Sequence, residues 1–207
     1  MSGPLYHTDI EQGTDEWHAV KAGYFSASHG AVIMGGLDTS GLASYIQDLA
    51  WGRVYGPTDR GFTSKAMEHG TLTEPEGRDW FAFERDVVIE QVGFVEHARI
   101  PFLGWSPDGL FNKRKRAIEA KCPQHKAWME VCRTGKVPAV YRWQCKIGCF
   151  VGELDGMEFV SYHKKAGGLI VPIEVTESEK QQIEERIAIL EPKVAQWVEI
   201  LKNKGGE

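Results

Sequence analysis

The stretch GWSPDGLFNKRKRAIEAKCP, residues 104–123, carries the strongest functional signal in the chain. Asp108 follows a short apolar run, and a basic loop then leads into RAIEAK (116–121), in which apolar and polar residues alternate as in a strand. Because side chains alternate between the two faces of a strand, Glu119 and Lys121 point to the same face. If the two runs pair as a hairpin, Asp108 lies beside Glu119.

Two carboxylates at short range repel each other unless a proton or a divalent cation lies between them. Asp108 and Glu119, with Lys121 nearby, therefore form a candidate cation site with oxygen ligands, which is a type of site that cleaves phosphodiesters. The pattern Asp-x₁₀-Glu-x-Lys is loose and occurs by chance in many chains. By itself it indicates only a candidate.

Length and composition are those of a globular protein. The 207 residues are 42% hydrophobic and 26% charged, which excludes disordered and fibrous classes and suits one domain over residues 1–207. The net charge of −5 argues against a surface coated in positive charge for nucleic acid, but it is compatible with a local basic groove. We expect no membrane association and a cytoplasmic location, since no apolar run approaches the roughly 20 residues of a membrane span and the N-terminus is polar.

The four cysteines are interpreted as free thiols. They form no Cys-x-x-Cys motif, and Cys145 and Cys149 are four residues apart in a helix-like segment without a tight triplet. This spacing favours buried thiols over disulfides or an iron–sulfur cluster.

Hydrophobic periodicity predicts an α/β protein with a mixed central sheet of about five strands flanked by helices. Predicted helix starts include Thr14, Ser26 or Ser28, and Thr176 or Ser178, since these residue types cap helices. Helices are predicted within residues 14–23, 26–36, 41–56, 65–86, 125–135, 139–154 and 176–207, and strands within 87–98, 99–105, 116–121, 156–163 and 167–175.

Three polar features have two interpretations each. Lys21, Ser26 and Ser28 either bind a phosphate near a helix start or simply cap that helix. The basic run NKRKR (112–116) is either a solvated hairpin turn or a phosphate contact. A glutamate of the 65–86 helix, Glu74 or Glu76, either faces the candidate metal site or belongs to a solvated acidic face.

The segments SPDG (106–109) and EAKCP (119–123) resemble the phage lambda exonuclease and YqaJ-type recombinase nucleases, within the PD-(D/E)xK superfamily. Three further segments resemble motifs of this family, in the family's order. They are QGTDEWHAVKAGYFSAS (12–28), with its Gln-Gly, Trp and Ser-Ala-Ser; HGTLTEPEGRDWF (69–81), with Gly-x₃-Glu-x₃-Arg; and YRWQCKIGCFV (141–151), with Tyr-x-x-Gln. The resemblance covers most of residues 12–163.

The resemblance implies a restriction-endonuclease-like core and a catalytic metal centre. Asp108 and Glu119 would bind Mg²⁺, with the main-chain carbonyl of Ala120 as a further ligand. Glu74, rather than Glu76, would be the helical carboxylate, acting directly or through water. A second Mg²⁺ could share Asp108, and Mn²⁺ could substitute. Lys121 would hold or deprotonate the attacking water.

The resemblance also implies a DNA-binding set that includes the 5′-phosphate contacts, namely Lys21, Ser28, Ser106, Tyr141 and Gln144. Lys21 stands where the lambda-type enzyme has Arg, so the charge is kept but the bidentate fork is lost. His69 departs from the lambda-type Trp and is either a packing residue or a metal-proximal ligand.

The implied activity is processive 5′→3′ digestion of one strand of linear double-stranded DNA. It would release mononucleotides and leave a 3′ single-stranded tail for annealing recombination, in a bacterial or phage-infected cell. The implied partners are DNA ends, a single-strand annealing protein and two further copies in a homotrimeric ring. The alternatives are an endonuclease of the same core, of restriction or repair type, and a catalytically inert DNA-binding module, although intact Asp108, Glu119 and Lys121 argue against the latter.

Overall fold

The computed structural model describes residues 3–58 and 65–204, apart from the side chains of residues 65–69 and 71. None of the helices in this part of the chain is long and apolar enough to cross a membrane. The helices are α1 (Asp15–Lys21), α2 (Gly30–Ile33), α3 (Ser40–Tyr55), α4 (Lys65–Arg85), α5 (His125–Thr134), α6 (Ala139–Val151) and α7 (Glu177–Lys204), and a 3₁₀ turn (Ala27–His29) precedes α2. The strands are β1 (Leu5–His7), β2 (Phe25–Ser26), β3 (Phe94–Glu96), β4 (Leu103–Trp105), β5 (Gly109–Phe111), β6 (Arg116–Lys121), β7 (Gly156–His163) and β8 (Gly167–Ile173).

The strands form two four-stranded sheets, with the orders β1-β3-β4-β2 and β5-β6-β7-β8. Each sheet is mixed, since β2 runs parallel to β4 and β6 runs parallel to β7 while the other pairs are antiparallel. The mixed α/β prediction is confirmed, but the single sheet of about five strands is replaced by two sheets. The strands that the sequence missed, β1, β2 and β5, have only two or three residues, which is too short for an alternating pattern to be detected.

The two faces of the second sheet are covered by different helices. Phe81 of α4, 0% exposed, packs with Ile118 and Val160 in a small apolar cluster on one face. The opposite face belongs to the larger core, which also contains Cys145 and Cys149 of α6 as buried free thiols, whereas Cys132 is an exposed thiol. Because successive residues of β6 alternate between faces, the residues flanking Ile118 point away from α4 and towards α6.

Several helix starts follow the predicted capping chemistry. The Thr14 side chain accepts a hydrogen bond from the first turn of α1. Thr176 caps α7 reciprocally, since its hydroxyl accepts from the Glu179 amide at 3.3 Å and its own amide donates to the Glu179 carboxylate at 3.0 Å. Ser26 stands at the N-cap position of the 3₁₀ turn, as predicted, but its side chain makes no capping hydrogen bond. The Ser26 and Ser28 hydroxyls instead lie 3.0 Å from each other, and the N-cap residue of α2 is His29.

Candidate active site

The structure contains the hairpin expected around Asp108, formed by β5 and β6. The Ala120 amide donates to Asp108 Oδ2 at 2.7 Å. Lys121 Nζ is ion-paired with Glu119 Oε1 and lies 3.9 Å from Asp108 Oδ2. Asp108, Glu119 and Lys121 therefore meet in one small volume. The first strand of the hairpin follows Asp108, whereas the apolar run before it is β4 of the other sheet.

The main-chain carbonyl of Ala120 points to the same side of β6 as the Asp108 carboxylate. In a strand, the N–H and the C=O of one residue point towards the same neighbour, and the Ala120 N–H points at Asp108. The carbonyl thus adds a third oxygen-bearing group to the two carboxylates.

Glu119 is fully buried and only partly satisfied. It is 0% exposed, and its Oε1 accepts hydrogen bonds from Lys121 and, at 2.5 Å, from Gln144 Nε2. Its Oε2 is buried without a hydrogen-bond partner among the described residues. A buried polar atom without a partner costs about 1–3 kcal/mol, and more when the group is charged. A cation at Oε2 would remove this cost.

Glu74 reaches the same region from α4. Burial raises its pKa, and the Asp108 charge raises it further, while Lys121 and Arg78 act in the opposite direction. Arg78 lies one helical turn on, with Nη1 3.6 Å from the Glu74 carboxylate. Glu76, by contrast, is ion-paired at the surface with a lysine of the β7–β8 turn. The side chain of His69, also on α4, lies outside the described residues.

When fully ionised, the cluster carries excess negative charge, and this repulsion contributes to the raised pKa values of Glu74 and Glu119. Glu74, Asp108 and Glu119 contribute three negative charges, and Lys121 and Arg78 contribute two positive ones, which leaves −1 if all are ionised. Burial and the neighbouring carboxylates raise the pKa of Glu119. Burial lowers the pKa of Lys121, but Glu119 and Asp108 outweigh it and raise the pKa above its usual range, so Lys121 is an ammonium. Negative charge in a buried cleft favours cation binding.

The donor set suits a hard cation that keeps much of its water. No three His, Cys, Asp or Glu side chains form a ready metal centre within the described ranges. The oxygens available are those of Asp108, Glu119 and the Ala120 carbonyl, with Glu74 at longer range. Mg²⁺ is characteristically held by one or two carboxylates plus water and substrate phosphates. The residues present therefore fit Mg²⁺ better than Zn²⁺, which prefers nitrogen and sulfur ligands.

Helix α6 supplies the wall facing β6. Gln144 donates to Glu119, as described above, and Tyr141 places its ring centroid 5.5 Å from Lys121 Nζ. An amide and a phenol ring thus border the catalytic candidates, as expected for the Tyr-x-x-Gln motif.

Lys21 and Ser106 are connected through Trp17. Lys21 Nζ lies 3.6 Å from the Trp17 ring centroid, and Trp17 Nε1 donates to Ser106 Oγ at 2.9 Å. Burial lowers the pKa of Lys21 to about 8. No ion pair of Lys21 with a carboxylate is found among the described residues, so this partly buried ammonium is available to an anion.

Ser28 is held near Gln144 by close packing of the backbone. A Cβ atom on Gly30 would lie 2.6 Å from the main-chain carbon of Trp143 and 2.7 Å from the Gln144 nitrogen. Only glycine permits this approach of the 3₁₀ turn and α2 to α6. The structure therefore brings Ser28 to the α6 side of the site, while Ser106 lies on the segment that leads to Asp108.

Three residues that the sequence analysis did not assign hold the segment 106–108 in place. Gln12 Nε2 donates to the Pro107 carbonyl at 2.8 Å, Trp17 Nε1 donates to the Ser106 hydroxyl, and Arg78 Nη1 donates to the Asp108 carbonyl at 2.8 Å. All three stand in the segments quoted above, as the Gln of Gln-Gly, the Trp and the Arg of Gly-x₃-Glu-x₃-Arg. Their position within these motifs was the signal by which the sequence could have identified them.

The basic loop is built as a hairpin turn. Its residues 112–114 have φ values of 50°, 54° and 63°. Arg114 forms a bidentate ion pair with Glu90, and Arg116 is ion-paired with a glutamate on β7. The loop lies at the end of β6 opposite Lys121, about 16 Å away at ~3.3 Å per residue. These features favour the turn interpretation over a phosphate contact beside the site.

A family model for the YqaJ-like viral recombinase domain matches residues 16–154, from α1 through α6. The chain belongs to this family. The resemblance drawn from the sequence motifs is thereby confirmed, and the matched region of this recombinase-family chain contains Glu74, Asp108, Glu119, Lys121 and Gln144.

Solved structures resemble the whole fold. An alkaline exonuclease (LHK-Exo) from Laribacter hongkongensis is 28% identical, with 93% of this chain and 98% of that chain covered and a TM-score of 0.84. The same protein in complex with dAMP gives the same values. A phage related exonuclease from Haemophilus somnus 129PT, 14% identical with coverages of 86% and 96% and a TM-score of 0.65, shows likeness of fold alone. No curated protein sequence matches the chain significantly.

Proposed function

We propose that this chain is a Mg²⁺-dependent exonuclease that degrades one strand of linear double-stranded DNA in the 5′→3′ direction. The observation that carries the proposal is the unpartnered, buried Oε2 of Glu119 beside Asp108 and Lys121. Membership of a recombinase family and the likeness to an alkaline exonuclease support nuclease chemistry at this site.

In this proposal Asp108, Glu119 and the Ala120 carbonyl would hold one Mg²⁺. A second Mg²⁺ would share Asp108, and Glu74 would act directly or through water. Mn²⁺ can replace Mg²⁺, because it accepts the same oxygen ligands. When bound, the metal stabilises the negative charge that develops on the phosphate during hydrolysis.

The surrounding side chains orient the reacting groups. The Lys121 ammonium donates to the attacking water and holds it in line with the phosphorus. Gln144 keeps Oε1 of Glu119 turned towards α6, which leaves Oε2 for the cation. Arg78 fixes the main chain of Asp108 through its carbonyl. Each contact lowers the reorganisation needed when DNA binds.

Recognition of a 5′-phosphate accounts for the proposed direction. Lys21 supplies a partly buried positive charge, and Ser28, Ser106, Tyr141 and Gln144 supply hydroxyl and amide groups. The Lys21 ammonium is already removed from much of its water and has no carboxylate partner in the described part of the chain. Such a cation binds a phosphate favourably. When these residues hold the 5′-phosphate, the adjacent phosphodiester bond is placed at the metal site.

We also infer a homotrimeric ring around DNA and a single-strand annealing protein that binds the 3′ tail. A ring accommodates the net charge of −5, since a basic inner surface can coexist with an acidic exterior. A solution mass measurement tests this inference directly. A monomeric or dimeric mass in the presence of DNA would contradict the ring.

The nuclease proposal is tested with linear and covalently closed circular duplex DNA, in Mg²⁺ and in EDTA. We expect mononucleotides and a 3′ single-stranded tail from linear DNA in Mg²⁺ alone. Asp108→Ala and Lys121→Ala should each abolish most of the activity, whereas Lys164→Ala, at an exposed lysine, serves as the matched control.

Efficient cutting of the circle would instead favour an endonuclease of the same core. Unchanged activity of Lys121→Ala would contradict the site. Folded wild-type protein that binds DNA but leaves it intact in Mg²⁺ and in Mn²⁺ would indicate an inert DNA-binding module.

A further inference from the structure

An exposed histidine ring lies face to face on a buried tyrosine beside the proposed phosphate contacts. The rings of His29 and Tyr45 have centroids 4.3 Å apart and an interplanar angle of 13°. His29 is exposed, whereas Tyr45 is 7% exposed. The inner face of the imidazole is therefore covered by a ring of the core, and the imidazole itself is open to solvent.

The tyrosine beneath His29 is fixed in position. Its hydroxyl accepts a hydrogen bond from the Ser26 amide at 3.0 Å and donates to the Tyr24 carbonyl at 3.4 Å. Its ring also contacts Phe25 with a centroid distance of 6.4 Å. An aromatic ring supported in this way presents a flat surface that costs little entropy to order on binding.

The stacked pair borders a pocket of about 340 Å³ that also contains Lys21 and Ser26. The Ser28 hydroxyl lies 3.4 Å from His29 Nδ1. The imidazole thus adjoins both Lys21 and Ser28, the donors proposed for the 5′-phosphate. A volume of this size suits a ligand as large as one nucleotide.

We propose that His29 is a base-stacking platform that receives the nucleobase of the 5′-terminal nucleotide of the bound strand. The proposal rests on the DNA-end function proposed above and extends the contact from the phosphate to the base. A nucleobase and its 5′-phosphate are joined through a single sugar, so a ring next to the phosphate donors is within reach of the same nucleotide. Stacking requires only a π face, so it tolerates every base, as an exonuclease needs.

The chemistry of His29 favours stacking over a second phosphate contact. Burial of its inner face and the neighbouring Lys21 charge lower the pKa of its imidazole, while Asp48 acts in the opposite direction, so the net shift favours the neutral ring. A purely structural pair would bury both rings in the core, whereas here the outer ring is exposed. The pocket lining therefore offers the Lys21 cation for the phosphate and the His29 ring for the base, and it also includes one carboxylate, that of Asp48.

The test uses duplexes that carry 2-aminopurine either at the 5′-terminal position or at an internal position of the same strand. Binding is measured in EDTA, so that no strand is cut. Stacking quenches 2-aminopurine, so we expect wild-type protein to quench the 5′-terminal probe more than the internal one. His29→Phe should keep this quenching, because it keeps a ring on Tyr45.

His29→Leu should lose the selective quenching and bind the 5′-phosphorylated end about tenfold more weakly, the order of effect of one stacked base. Trp51→Leu is the matched control, because Trp51 is an exposed ring on the same helix as Tyr45 but does not line the pocket. It should behave as wild type. Thermal unfolding of each variant verifies that it is folded, and His29→Ala provides a second truncation.

Equal quenching and affinity for His29→Leu and wild type would overturn the platform. If that result came with an intact preference for 5′-phosphate ends, the DNA-end function would stand and only the platform would fall. If wild-type protein showed no preference for DNA ends at all, the proposed function and the platform would fail together.

Discussion

The preference for a 5′-phosphate should depend on the protonation of Lys21. Burial lowers the pKa of this ammonium to about 8, and its nearest aromatic contact, Trp17, carries no charge to hold the proton. Because the pKa is lowered, the positive charge is present below pH 8 and is lost as the pH rises through that value. The contact with a phosphate should follow the charge.

The size of the effect follows from the fraction of Lys21 that is charged. With a pKa of about 8, roughly 90% is protonated at pH 7 and roughly 10% at pH 9. The pH dependence of kcat/KM reports groups of the free enzyme. The ratio of kcat/KM for 5′-phosphate ends to that for 5′-hydroxyl ends should therefore fall by up to about tenfold between pH 7 and pH 9.

The assay follows digestion of the two labelled duplexes between pH 6.5 and pH 9.5. Using the ratio cancels the pH dependence of the metal site, which acts on both substrates. Lys21→Arg is the matched control, because a guanidinium stays charged above pH 12 and its ratio should be flat with pH. Lys21→Met should give a low, flat ratio. The reasoning is refuted if wild type and Lys21→Arg show the same pH dependence.

Three further substitutions separate the roles of supporting contacts. Trp17→Phe removes the indole donor to Ser106, so we expect a loss of about 1–2 kcal/mol in urea unfolding and a lower kcat; an unchanged kcat would contradict the positioning role. Arg53→Lys removes the bidentate ion pair with Glu191, so the free energy of unfolding should fall by roughly 1–3 kcal/mol with kcat unaltered. Gly30→Ala places a Cβ 2.6 Å from the α6 backbone, so it should lower both the melting temperature and the affinity for DNA ends; unchanged values for both would show that the close approach is unnecessary.

Local periodicity was sufficient for the parts of the site that lie within one element. Glu119 and Lys121 were assigned to one face of β6 because two-residue spacing in a strand has that consequence in any context. Thr14, and either Thr176 or Ser178, were identified as helix starts because a hydroxyl side chain satisfies the free amides of the first turn within a few residues of itself, and the structure selects Thr176. The family motifs added a second kind of information, because they occur along the chain in the same order as in the family.

Prediction from the local sequence failed where several secondary-structure elements compete for the same polar side chains. Ser26 and Ser28 have the composition of helix caps, but their hydroxyls bond each other where the 3₁₀ turn meets α6. The basic loop has the composition of a phosphate contact, but Arg114 pairs with Glu90, a residue far away in sequence. Charge patterns show which residues are polar but do not identify their partners.

The amino-acid sequence alone indicated Asp108, Glu119 and Lys121 as a candidate unit, since the hairpin that joins them spans few residues. The groups around that unit come from distant parts of the chain and are visible only in the folded protein. Gln144 arrives from α6 and leaves one oxygen of Glu119 without a partner, and Arg78 arrives from α4 to hold Asp108. Burial and unbalanced charge arise from contacts between elements distant in the chain, and these properties turn a hairpin of ordinary composition into a candidate cation site.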